Sequence, residues 1–228
     1  MSLGLKLFFI AAFVFAMILM GSNMKRKKKR LIFFGDSITE AGTRPGGYIA
    51  VISEHIRGES MGEYLEIINS GRGGHGVHDL IRRLDHDVLL NEPKVVVLFI
   101  GINDVWHKQE HGTAEALQSF RENYDKLLQK MKLANIPVIA CTPTTIGETV
   151  AGNQHFWNDL EAYTQAIKEL AANHDIPVVD LHAAFMQYYQ SVPSTQNEGI
   201  LTTDGVHLNV AGNKLVGDEI WKVLKHFL

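Results

Sequence analysis

Leu31-Ile32-Phe33-Phe34-Gly35-Asp36-Ser37-Ile38-Thr39 decides the fold: four large apolar residues in a row, broken at once by a glycine and an Asp-Ser pair. An apolar run that short, stopped by turn chemistry, reads as a strand covered on both faces that gives way to a helix start. Four further runs share its character, at 65–68, 95–100, 137–140 and 177–181, each short and bounded by Gly, Pro or Asn. Between them lie helical patterns at 46–58, 77–90, 114–134 and 155–173, with a last one near 210–227. In the third of these, Leu117, Phe120, Tyr124, Leu127, Leu128 and Met131 recur at spacings of three and four and form one apolar stripe for the core. Alternating strands and helices demand right-handed crossovers and a parallel sheet with helices on both sides, an α/β sandwich.

At 228 residues and 46% hydrophobic content, the chain supports one sizeable core, expected over 31–228. Residues 1–30 stand apart. An unbroken apolar stretch at 7–20 is followed by six consecutive basic residues at 25–30, the cytoplasmic flank expected of a membrane anchor. This predicts a single N-terminal membrane segment with the domain over 31–228 on the cytoplasmic side. Export after signal cleavage, or a true start at Met24, is the alternative. Seven of the 22 basic side chains and none of the 25 acidic ones fall in this segment, so residues 31–228 carry a formal charge of −10. A domain so acidic repels a phosphate backbone, which argues against nucleic acid as a partner. Cys141 is the only cysteine, which excludes an internal disulfide and the cysteine-based zinc patterns. Nothing in the sequence sets an oligomeric state.

In α/β sheets ligands bind at the carboxyl ends of the strands, and that is where Ser37 stands. Three more segments follow strand-like runs or close the chain: Asn69-Ser70-Gly71-Arg72-Gly73-Gly74, Gly101-Ile102-Asn103-Asp104 and Asp204-Gly205-Val206-His207. Acyl transfer through a covalent intermediate needs a nucleophile, a base, a group that orients the base, and donors for the oxyanion. Ser37 supplies the first and His207 the second. Asp204, three residues before His207, is close enough for a turn to bring its carboxylate to the imidazole. Gly74 can offer its backbone N–H, Asn103 its side-chain amide and Ser37 its own N–H to a developing oxyanion.

Taken together and in this order, the four segments resemble the SGNH hydrolases, also called GDSL esterases and lipases. Gly35 to Thr39 is similar to that family's first block, Asn69 to Gly74 to its second, Gly101 to Asp104 to its third and Asp204 to Leu208 to its last. The resemblance implies a flavodoxin-like three-layer α/β/α fold with a five-stranded parallel sheet in the order 2-1-3-4-5. It also implies a site of Ser37, Asp204 and His207 with an oxyanion hole of Ser37, Gly74 and Asn103, no metal and no cofactor. The expected activity is hydrolysis of small acyl esters, acetyl or short-chain, on a carbohydrate or lipid-derived alcohol, so that a small-molecule or glycan-borne ester is the partner. Acyl transfer from the same acyl-serine to another alcohol is the alternative. A non-catalytic ligand-binding module and a phosphate or flavin binder using the first turn are less consistent with a base placed for the serine.

Other residues carry plainer expectations. His75, His78 and Asp79 read as polar residues of a loop and helix start rather than metal ligands, and Asp85, His86 and Asp87 as a solvated helix face. Trp106 and His107 are candidates for an acyl-pocket wall. The loop 142–152, with its glycines, is long enough to form a rim or lid, and His182 reads as a structural histidine.

Overall fold

The computed structural model of the chain describes Gly4 and residues 28–59, 64–110, 116–148, 154–192 and 198–228. The opening apolar run lies within β1 (Lys29–Gly35), and all four residues from Leu31 to Phe34 are fully buried. Successive strand side chains point to opposite faces, so burying four in a row requires cover on both sides. β2 (Leu65–Gly71), β3 (Val95–Phe99), β4 (Val138–Cys141) and β5 (Val178–Val179) complete a parallel sheet in the order β2-β1-β3-β4-β5. That is the order the resemblance implies. β3 is buried throughout, whereas β2, at the sheet edge, is only half-buried along its length, contrary to the expectation of cover on both faces.

Eight α-helices are seen among the described residues: α1 (Ser37–Ala41), α2 (Tyr48–Gly58), α3 (Val77–Asp87), α4 (Ile102–Glu110), α5 (Leu117–Leu133), α6 (Gln154–Asn173), α7 (Leu181–Ser191) and α8 (Val210–Leu224). α2 packs against α8, with α7 beside it, while α3 and α6 both pack against α5, giving the helical layers that sandwich the sheet. The expected stripe of α5 is its core face: Phe120, Tyr124, Leu127, Leu128 and Met131 are buried and Leu117 packs against them.

Two helices depart from the sequence reading. The segment after β3 turns at Gly101 alone and is helical from Ile102, so Asn103 and Asp104 are helix residues. The run at 177–181 is a strand for only two residues, because Asp180 caps α7: its carboxylate accepts the Ala183 N–H at 3.1 Å, and Leu181 opens a helix. The boundary near residue 30 also shifts. Lys29 and Arg30 belong to β1, and Arg30 donates to Glu66 at 3.1 Å and to the Asn91 carbonyl at 3.0 Å. The basic run therefore enters the domain. The expected anchor at 7–20 lies outside the described residues, and among those described no helix is long and apolar enough to cross a membrane.

Paired residues place Gly71, Gly35, Phe99, Cys141 and Val179 in one row across the carboxyl edge of the sheet. Each candidate segment but the last leaves that row directly.

Candidate active site

Ser37 owes its position to the abrupt end of β1. Asp36 caps α1, its Oδ1 accepting the Ile38 N–H at 3.0 Å, so the serine becomes the first residue of the helix. α1 presses closely on the end of β2. A Cβ at Gly71 would stand 2.0 Å from the Glu40 nitrogen, which only glycine avoids. Asn69 ties the same two elements: its side-chain Oδ1 accepts the Gly71 N–H at 2.9 Å and its Nδ2 donates to the Glu40 carbonyl at 3.1 Å. Burial pushes the Asp36 carboxyl up to about 7, against the opposing pull of the Ile38 N–H and of His207.

His207 comes from the far end of the chain, 170 positions away, and its Nε2 lies 3.0 Å from Ser37 Oγ. Its Nδ1 is 2.7 Å from Asp204 Oδ2. A carboxylate can only accept there, so Nδ1 carries the proton and Nε2 is left to accept from the serine hydroxyl. The Asp204 side chain also builds the turn that presents the ring, its Oδ1 accepting the N–H groups of Val206 at 3.0 Å and His207 at 2.7 Å. Partial burial alone would raise the Asp204 carboxyl, but these bonds to the His207 ring and backbone outweigh it and hold the group below its ordinary value. Both side chains remain open to solvent, 39% exposed for His207 and 49% for Asp204.

The segments that carry the candidate oxyanion donors leave the same edge of the sheet. Gly74 has φ of +73°, a left-handed turn that a side chain disfavours, and a Cβ at Gly73 would lie 4.0 Å from the Ser37 Cβ. The turn therefore passes over the serine. Asn103, 3% exposed at the start of α4, donates from Nδ2 to the His75 carbonyl at 3.0 Å, and Asp104 accepts the Val77 N–H at 3.0 Å. One amide proton of Asn103 is spent on positioning. Trp106 stands edge-on to the His207 ring, centroids 6.2 Å apart at 71°, and His107 is the nearest side chain to Gly74. The structure thus brings Ser37, His207 and Asp204 into one hydrogen-bonded line, with the turn at Gly73 and Gly74 passing beside the serine and Asn103 tied to the His75 carbonyl after that turn.

Several readings need correction. Asp87 is not on a solvated face. It is buried against Arg83 at 2.6 Å, while Asp85 and His86 remain exposed. Arg83, which the sequence reading passed over, is itself 8% exposed and donates to the Gly35 carbonyl at 2.7 Å, the Ser70 carbonyl at 2.8 Å and His75 Nδ1 at 3.2 Å. Its spacing of three from Leu80 and four from Asp87 was the available signal. The inner part of the loop 142–152 is packed and not a lid: Thr142, Thr144, Thr145 and Ile146 are buried, and residues 149–152 lie outside the described set. His182 is buried with Nδ1 2.7 Å from the Thr144 carbonyl. Among the described residues no group of three or more His, Cys, Asp or Glu side chains is placed to hold a metal ion.

The arrangement can move a proton from Ser37 to His207, balance the imidazolium with Asp204 and meet an oxyanion with N–H donors. Comparison with known proteins agrees with such chemistry. The family model described as GDSL-like Lipase/Acylhydrolase matches residues 33–215. Among solved structures, the acetyl xylan esterase AlAXEase is 42% identical, with a TM-score of 0.81 over 86% of this chain and 99% of that one. An acetylxylan esterase of Geobacillus stearothermophilus is 27% identical over 82% of this chain and 90% of its own. A human isoamyl acetate-hydrolyzing esterase 1 homolog is 26% identical over 86% of this chain and 81% of its own. With the family's blocks gathered at one sheet edge and its model spanning most of the sequence, this chain belongs to the GDSL-like lipase/acylhydrolase family and is a carboxylic ester hydrolase.

Proposed function

We propose that the protein hydrolyses short-chain acyl esters, acetyl esters above all, of a carbohydrate or lipid-derived alcohol through an acyl-serine intermediate at Ser37. The observation that carries this reading is the continuous hydrogen-bonded line from Ser37 Oγ through His207 to Asp204, at 3.0 and 2.7 Å. Ser37 Oγ attacks the ester carbonyl carbon while His207 Nε2 takes its proton. The tetrahedral oxyanion is met by the N–H groups of Ser37 and Gly74 and the Asn103 amide. Collapse expels the alcohol, which leaves with the proton held on His207. Water then adds to the acyl carbon, giving its proton to His207, and the carboxylic acid departs as the serine regains its hydrogen. Relatives named for acetylxylan and for isoamyl acetate support acetate as the acyl group. The N-terminal anchor and its orientation are carried by the apolar run at 7–20 and the basic run after it, on the sequence alone.

The test pairs a substrate series with covalent labelling. Initial rates on p-nitrophenyl esters should fall from acetate to palmitate, and acetylated xylo-oligosaccharides should release acetate. A fluorophosphonate should label the native chain and not Ser37→Ala, with His207→Ala labelled far more slowly. Label retained by Ser37→Ala rejects the nucleophile, and rates rising steadily with chain length reject the short-acyl reading.

A further inference from the structure

The loop that carries Asp204 and His207 has little regular structure of its own. Between residue 198 and α8 its backbone pairing is a single isolated bridge, Thr202 with Leu208. A proton relay that depends on a contact of 3.0 Å to another element needs that loop held in place. Glu148, on the loop after β4, does so by bonding. Its Oε2 accepts the Ile200 N–H at 2.8 Å, and its Oε1 accepts the N–H groups of Leu201 and Thr202, both at 2.6 Å. Three successive amides closing on one carboxylate, itself only 9% exposed, make a concave anion cradle of charge-assisted bonds. Beside it the Gly147 N–H donates to the Gly205 carbonyl at 2.8 Å, and the Thr202 hydroxyl accepts the Gly205 N–H at 3.1 Å. The chain of contacts thus runs from Glu148 through Thr202 to the turn between Asp204 and His207.

We propose that Glu148 is a positioning residue for ester hydrolysis, fixing the Asp204–His207 loop against Ser37 through its three amide contacts. This rests on the reading of Ser37, Asp204 and His207 as the working set. The physical reason lies in which contacts are local. Asp204 and His207 are three residues apart and hold each other through the turn that Asp204 itself builds, so their pair survives a shift of the loop. The contact between His207 and Ser37 joins separate elements and does not. A displacement of the order of 1 Å at that contact costs roughly 100-fold in rate.

Glu148→Ala removes all three acceptors, and we expect kcat to fall about 100-fold with KM within about two-fold of native. Glu148→Gln keeps one carbonyl oxygen in the place of Oε1, hence two of the three bonds, and should recover kcat to within about ten-fold of native. Leu128→Ala serves as the control, since it empties space in the α5 core away from the loop. It should lower the melting temperature while kcat, measured where the protein is folded, stays native. Native kcat in folded Glu148→Ala overturns the proposal, as does a glutamine variant no better than alanine. A kcat that tracks melting temperature equally in Glu148→Ala and Leu128→Ala also overturns it. If Glu148→Ala does not fold, Glu148→Gln and Glu148→Asp carry the same comparison, and native kcat in both overturns the proposal. Ser37→Ala is measured alongside: activity retained there defeats the underlying assignment, whereas an inactive Ser37→Ala with native Glu148→Ala defeats the positioning role alone.

Discussion

Ser37 and His207 meet at one point but are held there by different means. The serine follows β1, whose residues from Leu31 to Phe34 are fully buried and paired on both sides, with α1 pressed on the end of β2. The histidine sits on a loop open to solvent, tied down by side chains that accept backbone N–H groups: Glu148, Asp204 and Thr202. Hydrophobic burial places the nucleophile and hydrogen bonding places the base. The first mechanism is spread over many atoms and resists single changes, while the second depends on a few polar groups. Damage on the strand side should therefore appear mainly as lost stability, and damage on the loop side mainly as lost turnover.

Arg83 is where the strand side can be broken most severely. Its guanidinium lies under the carboxyl edge, bonded to the Gly35 and Ser70 carbonyls and to Asp87, and stacked 4.6 Å over the Phe34 ring. Arg83→Met preserves the apolar stem yet breaks the buried pair with Asp87 and removes the side-chain donor of the Ser70 carbonyl, leaving the Gly35 carbonyl to the Arg72 N–H and Asp87 to His86 and Arg72. Removing one partner of such a pair costs about 3–5 kcal/mol, which urea unfolding should show as a lowered midpoint. An unchanged midpoint would mean that packing alone holds β1 and β2 at the serine, and the clamp would drop out of the comparison.

The same division explains what the sequence made legible. Apolar runs and helical spacing report burial directly, so the parallel sandwich and the core stripe of α5 could be read from the residues, whereas the sheet order came only from the family resemblance. Loop polar groups leave no periodic trace. Glu148 is one glutamate among many in a segment whose length suggested a lid, and only the coordinates show three amides converging on it. Asp87 reads as solvated when charge is equated with exposure, although an Arg and an Asp four apart, as Arg83 and Asp87 are, can turn inward together. α7 was missed since a strand of two residues leaves the apolar run at 177–181 to be shared with a helix.

Asn103 sharpens the comparison, because it belongs to the strand side by position and to turnover by role. Asn103→Ala should reduce kcat by about 10²–10³, equivalent to roughly 3–4 kcal/mol at the transition state. Stability should change far less, by about 1 kcal/mol for the lost bond to the His75 carbonyl, read by thermal melting. A loss of only a few-fold in kcat would leave the oxyanion to the backbone N–H groups of Ser37 and Gly74.

The two carboxyls nearest the reacting pair should respond to pH with opposite sign. Asp36, buried at the end of β1, is pushed from an ordinary 3.8 up to about 7, so between those values the folded chain holds a proton that the unfolded chain has released. Its contribution to stability is therefore fully present below pH 4 and declines as pH rises toward 7, by at most about 1.4 kcal/mol per pH unit. Asp204, on the open loop, is depressed below 3.8, so its contribution is present above that value and declines as pH falls through the depressed one. Solvent screening at its exposed position makes that second slope the shallower. Asp36→Asn keeps the acceptor for the Ile38 N–H and should erase the first slope, and Asp204→Asn the second, in unfolding free energies measured from pH 2 to 8. Slopes of the same sign would show that both carboxyls sit in one kind of environment, and the distinction between a burial-held nucleophile and a bond-held base would fail at the two residues closest to it.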